Sequence, residues 1–235
     1  MGLISTVALF LPVALILILR LSLHRTFPAL LLYYFVAFSS NFLGQGYITV
    51  SSDVVKYWAL TNNLLDAPVM LFFLIYFCTS AVQAKRMKIL ILSYILFEIL
   101  IVSFNGYNKQ AATIILAPGL AMVFSFCLYF FIRYAKLAIT HSKATGKAII
   151  IASILFAYGC FIIIYLLYSV FETHIIDNKV DEQYLSDTYL VYFFATTLSS
   201  LLISAGIFVE RKKKKKLNEV IQTRKELQDL YKDTK

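Results

Sequence analysis

Asn62, Asn63 and Asp66 stand in the stretch NNLLDAPVM, inside a long apolar run that otherwise avoids polar side chains. At spacings of three and four residues they share one face of a helix. Two amides beside a carboxylate on one face can accept a proton, hold a cation or form the hydrogen-bonding wall of a ligand pocket. Asn41 and Gln45 lie one turn apart in the preceding apolar run, and Glu98 is the other carboxylate embedded in such a run. An aspartate at the centre of a membrane helix costs about 2.5–3.5 kcal/mol, so it either carries a proton or faces water and hydrogen-bond donors. Two readings of Asp66 follow: an acceptor in a pocket, or interhelical glue that holds the bundle together. Glu98, with no amide beside it, reads as a structural or protonated lipid-facing group, and as a second relay carboxyl only if protons move through the protein.

The elements that position these groups are set by hydropathy. Of the 235 residues, 60% are hydrophobic and 15% charged, and the mean hydropathy is +0.76, outside the usual range of a soluble domain. Seven runs are long enough for helices crossing about 30 Å of hydrocarbon. They cover roughly 3–19, 27–50, 57–82, 89–108, 112–132, 148–171 and 188–209. None shows the in-out alternation of a membrane barrel, so a lipid-exposed backbone satisfies its hydrogen bonds only as helix. The expected fold is an all-α integral membrane protein, a seven-transmembrane-helix bundle over 1–210 with a basic helical tail over 211–235.

Orientation follows from charge. With loops assigned alternately, 19 of the 22 lysines and arginines fall on one side, and only Lys56, Lys109 and Lys179 on the other. The positive-inside rule then places the amino terminus outside and the tail in the cytoplasm, as in a multi-pass protein of the bacterial inner membrane. The basic start and cleavage site of a signal peptide are missing, so the first run is a retained span, and the myristoylation-like MGLIST falls on the exported side. Net charge of +9 is concentrated at the membrane surface, which implies anionic lipids rather than nucleic acid as its partner.

Several chemistries find no support. His24, His141 and His174 fall in or beside loops, so the spans offer no imidazole to haem or zinc. Cys78, Cys127 and Cys160 read as small buried hydrophobes. No phosphate-cradling glycine loop, nucleophile elbow or metalloprotease motif occurs. Pro68 and Pro118 remove ladder donors and open local gaps that widen a cavity or merely bend a helix. Thr196–Ser200, TTLSS, either lines the same cavity or lets helices approach closely. Tyr158, Tyr165 and Tyr168 read as packing residues and interface anchors.

The stretch YWALTNNLLDAPVMLFFL resembles the third helix of microbial rhodopsins in its Tyr57, Trp58, Ala59 opening and in Pro68 followed by an aliphatic run. The resemblance implies a seven-helix chain with its amino terminus outside. It does not carry the family's chemistry: Tyr189–Val209 holds no lysine for a retinal Schiff base, so no covalent retinal cofactor is expected. Aligned on the proline, the family's arginine falls on Ala59, its counter-ion aspartate on Asn62, and Asp66 stands where threonine is usual. The general look is also similar to small seven-helix bacterial membrane proteins, which supplies a fold and no activity.

In the tail, Arg211 and Lys212, Lys213, Lys214, Lys215 and Lys216 should lie on the anionic cytoplasmic lipid surface, each contributing about 1 kcal/mol. Beyond them Leu217, Val220, Leu227 and Tyr231 keep a three-four spacing that Arg224 interrupts. A helix leaving the last span over 217–235 would associate with a second copy or with a signalling partner. Deleting 217–235 should then abolish that association; unchanged pull-down in detergent would exclude it.

The functional expectation is a receptor or sensor whose pocket lies between helices two, three and seven, with the last helix carrying a shift to the tail. Its rival is a proton-coupled transporter or channel using Asp66 and Glu98, although no internal repeat divides the chain. An intramembrane lipid enzyme would need a second convergent polar group beside Asp66.

Overall fold

A computed structural model describes residues 2–21, 26–141, 144–174 and 182–233, with side chains described except at 141, 168–174, 182–187, 213–222 and 224–233. Among these residues the chain forms α1 (Gly2–Ile18), α2 (Phe27–Gly44), α3 (Ser52–Leu74), a 3-10 turn (Ile75–Phe77), α4 (Ala81–Asn105), α5 (Lys109–His141), α6 (Thr145–His174) and α7 (Glu182–Asp233). Each apolar run of the sequence corresponds to one helix. Six of the seven are long and apolar enough to cross a membrane, and α1, with 17 residues, is shorter. The chain is thus built as a multi-pass helical membrane protein. His24 and Lys179, which the sequence assigns to loops, lie outside the described residues.

The surface is that of a protein whose solvent is lipid. Leu92, Leu96, Ile99 and Phe104 on α4, and Leu3, Val7 and Phe10 on α1, are exposed. In water so many exposed large side chains would be an aggregation hazard; in hydrocarbon they are ordinary solvation.

The helix ends differ from the hydropathy boundaries for local reasons. α2 stops at Gly44 rather than running to 50, because Gly46 takes φ +72, a left-handed conformation that breaks the ladder. Gln45 is therefore the residue that caps α2 rather than one within it. α3 begins at Ser52, with Asp53 in its first turn where the helix dipole favours a negative charge. α4 begins at Ala81, so Lys85, Arg86 and Lys88 ride its first turns. α7 does not end with the span: the whole helix, span included, runs unbroken for 52 residues, about 78 Å at the helical rise.

Six helices close a ring in the order α1, α2, α3, α5, α6, α7, and α4 packs outside it against α3 and α5. The ring's interior is filled by large side chains, with Phe27, Phe73, Phe77, Phe130 and Tyr158 all fully buried. α6 and α7 approach most closely. Gly146 lies against the backbone of Glu210, and Gly206 against the backbone of Ile150 and Gly146. One turn further along, Ser153 Oγ donates to the Ser199 carbonyl at 2.6 Å. Small residues on both sides allow this approach, which replaces the hydrophobic drive that lipid cannot supply.

The same end of the ring is tied by polar aromatics. Tyr76 donates its hydroxyl to Glu210 Oε1 at 3.0 Å, and Tyr134 donates to the Phe77 carbonyl at 2.8 Å. Lys147 Nζ stands 4.6 Å from the Tyr76 ring centre and 5.3 Å from that of Tyr134, in reach of a cation–π attraction. The 3-10 turn after α3 is thus joined to α5, α6 and α7 where α7 leaves the bundle.

Candidate ligand site

Asp66 is the fifteenth residue of α3, about 21 Å from its start at the helical rise. Two residues later Pro68 withholds its backbone donor, leaving the Leu64 carbonyl without its helical partner. From α6, Tyr158 donates its hydroxyl to Asp66 Oδ2 at 2.9 Å, and the Tyr33 hydroxyl of α2 stands beside the same carboxylate. Tyr158 is fully buried. A phenol at that depth needs an acceptor, and the carboxylate supplies it, so three helices of the ring are joined at one group.

Above this group a cavity of about 420 Å³ opens inside the ring. Asn62, Asn63 and Asp66 all line it, as the shared face predicts. Its walls come from every helix of the ring, including Leu9 on α1, Tyr33 on α2, Leu116 on α5, Phe161 on α6 and Tyr192 on α7. The cavity thus lies in the ring's common interior rather than between α2, α3 and α7 alone. α4 contributes nothing to the lining.

The remaining residues of the polar set go elsewhere. Asn41 donates to Ser5 Oγ at 3.3 Å, and Ser5 and Thr196 share a 2.8 Å hydroxyl pair; Asn41 thus ties α2 to α1 and, through Ser5, to α7. Gln45 is exposed at the end of α2, with its side-chain amide against Gly2. Neither residue lines the cavity, because α2 ends before Gln45 and turns Asn41 towards α1.

Glu98 lies on the helix outside the ring. It is 9% exposed, and among the described residues its Oε1 has no hydrogen-bond partner. One turn before it, Tyr94 donates its hydroxyl to the Ile115 carbonyl at 3.0 Å. Gly119 makes that approach possible, since a side chain there would collide with the Tyr94 hydroxyl and with Ala67 Cβ. Pro118 withholds its ladder donor from the Ile114 carbonyl, the neighbour of the carbonyl that the phenol binds. The Asp66 and Glu98 carboxyls are near enough for their charges to interact across this contact.

Thr196 of the TTLSS run lines the cavity, whereas Ser199, Ser200 and Ser204 are buried; the run serves both functions considered for it. Tyr158 and Tyr165 are packing residues as expected, and more: Tyr158 holds Asp66, and Tyr165 lines the cavity while donating to the Thr113 carbonyl at 3.2 Å. The Tyr168 side chain lies outside the described set. In the basic run Arg211 is half-buried and Lys212 exposed, and the side chains of Lys213, Lys214, Lys215 and Lys216 lie outside the described set.

Tyr33, Tyr158 and Tyr192 are the residues that sequence reasoning did not assign to the site. A usable signal existed. Tyr158 is thirteen residues into α6, far from either interface, and the spans hold only two carboxylates to accept from it.

No family model, no curated protein and no solved structure matches the chain.

Proposed function

We propose that this protein is a seven-transmembrane receptor or sensor in which the cavity above Asp66 binds a small or lipidic ligand and α7 carries the response to the cytoplasm. The observation that carries this reading is the cavity itself, which gathers Asn62, Asn63 and Asp66 from α3 within a ring of aromatic and apolar walls. α7 supports the second half. It presents Thr188, Tyr189, Tyr192 and Thr196 to the cavity and then continues as one helix to Asp233. A ligand that alters the packing of its outer turns acts on the same rigid element that carries Arg211 to Lys216 and the 217–235 segment. In this reading the amino terminus is outside, the tail lies on the anionic inner face of a bacterial cytoplasmic membrane, and the fold is rhodopsin-like in topology without retinal.

Native mass spectrometry on protein extracted in mild detergent tests the pocket. A one-to-one adduct is expected on the wild type and not on Leu116→Trp, which puts a larger apolar side chain into the cavity wall and leaves every polar lining residue unchanged. An adduct that persists in Leu116→Trp, or a clean apo mass joined to proton flux in liposomes, would overturn the reading.

The unpartnered Oε1 of Glu98 favours a second reading. A buried carboxyl with an idle oxygen, close to Asp66 across α3 and α5, is suited to relay protons in a transporter. The ring arrangement weighs against it, because Glu98 sits outside the cavity that a transported species would occupy.

A further inference from the structure

We propose that the ligand of this cavity is an organic ammonium ion, with its nitrogen at Asp66 and its hydrocarbon against the rings of Tyr33, Phe161, Tyr165 and Tyr192. This inference rests on the pocket reading above and names the chemistry of its occupant.

Charge is the first argument. Asp66 is the carboxylate of the cavity, and Tyr158 and Tyr33 occupy two of the several lone-pair directions a carboxylate offers, leaving others open to a ligand. No lysine or arginine among the described residues interacts with it. Lys109 lines the same cavity at its mouth. Asp66 lies at the level of Gly119, whose Cβ position meets Ala67, and ten residues of α5 separate Gly119 from Lys109, a rise of about 15 Å. An ionised carboxylate at that depth is stabilised by a cation brought by the ligand.

The walls make the second argument. Aromatic rings from α2, α6 and α7 line the cavity, and Phe161 and Tyr192 stack with their centres 5.8 Å apart. Ring faces are negative and attract an ammonium while repelling an anion. Asn62, one turn above Asp66 on α3, offers an amide oxygen to the remaining N–H donors of a primary amine. Leu9, Leu60 and Leu116 provide the apolar contact for its chain. A volume of about 420 Å³ lies at the small end of ligand pockets, which run from about 300 to 1,000 Å³.

The ammonium can belong to a free amine or to an aminophospholipid headgroup, and one experiment separates them. Calorimetric titration in dodecyl maltoside micelles, which are neutral and amine-free, would use hexylammonium, hexanol and hexanoate as probes. Saturable one-to-one binding of hexylammonium is expected, weakened tenfold or more in Asp66→Asn and unchanged in Glu98→Gln, with hexanol and hexanoate weaker. Leu116→Trp must abolish the same saturation, which protects the conclusion if Asp66→Asn folds poorly. Competition by phosphatidylethanolamine but not by phosphatidylglycerol assigns the site to a lipid amine; no competition by either assigns it to a free amine. Tighter binding of hexanoate or hexanol, or hexylammonium binding that ignores Asp66→Asn, overturns the proposal. A neutral or anionic adduct in the native spectrum, lost from Leu116→Trp, would leave the pocket reading standing and the cation proposal refuted.

Discussion

Gly206→Leu should lower the melting temperature of the detergent-solubilised protein by about 6–12 °C, which corresponds to roughly 3 kcal/mol at 2–4 °C per kcal/mol for a chain of this size. A Cβ on Gly206 would already stand 2.7 Å from Ile150 Cγ1, 3.0 Å from the Ile150 nitrogen and 3.2 Å from the Gly146 carbonyl oxygen. Two of those neighbours are backbone and cannot step aside without moving α6. A leucine adds three more carbons to the same space. Gly206 is far from either end of α7, so local fraying offers no escape. The helices must separate, and separation also breaks the 2.6 Å bond from Ser153 to the Ser199 carbonyl. Gly159→Ala provides the contrast on α6, at its contact with α5: its Cβ would meet Phe124 Cε2 at 3.5 Å, an ordinary contact. That change should be neutral or stabilising by about 0.5–1 kcal/mol, as expected of alanine for glycine within a helix. Equal melting temperatures for Gly206→Leu and Gly159→Ala, followed by fluorescence-detected size exclusion, would mean that the close approach of α6 and α7 contributes nothing.

That glycine contact illustrates what the sequence does and does not carry. Hydropathy locates every helix, because the cost of an unsatisfied backbone group in hydrocarbon leaves one solution for each long apolar run. It does not say which helices touch. The placement of α4 outside the ring depends on shape and small residues at particular turns, such as Gly119 beneath the Tyr94 hydroxyl, and hydropathy is blind to both. The same division runs through the site. Asn62, Asn63 and Asp66 are legible because three polar residues on one helical face have nowhere else to go. Asn41 and Gln45 look equivalent by spacing, yet the left-handed Gly46 ends α2 between their level and the loop, and Ser5 captures Asn41. Tyr33 and Tyr158 are hidden for a different reason. A tyrosine is apolar enough to pass as packing, and its role emerges only when the acceptor for its hydroxyl is known.

Asp66→Ala and Asp66→Asn should separate the roles of the carboxylate. Alanine removes the acceptor of the Tyr158 hydroxyl in a fully buried position, and such a loss costs about 1–3 kcal/mol. Asparagine keeps an oxygen at the same place, so Tyr158 retains its bond and only the charge is lost. The melting temperature should therefore fall in Asp66→Ala and hold in Asp66→Asn, whereas the native-spectrum adduct should disappear from both. Tyr158→Phe completes the set: it frees one lone pair of Asp66 without altering its charge, so ligand binding should change less than in Asp66→Asn. If Asp66→Asn keeps both its stability and its adduct, the carboxylate is a packing acceptor and the ligand owes its place to the apolar walls. If instead Asp66→Asn binds normally but loses proton flux in liposomes, charge at this position serves movement through the membrane, and the idle oxygen of Glu98 becomes the next group to change. In the proposed reading neither of those outcomes is expected: Asp66 stands below a cavity inside the ring, with α4 packed outside it, and the carboxylate would hold an ion in place rather than pass one across.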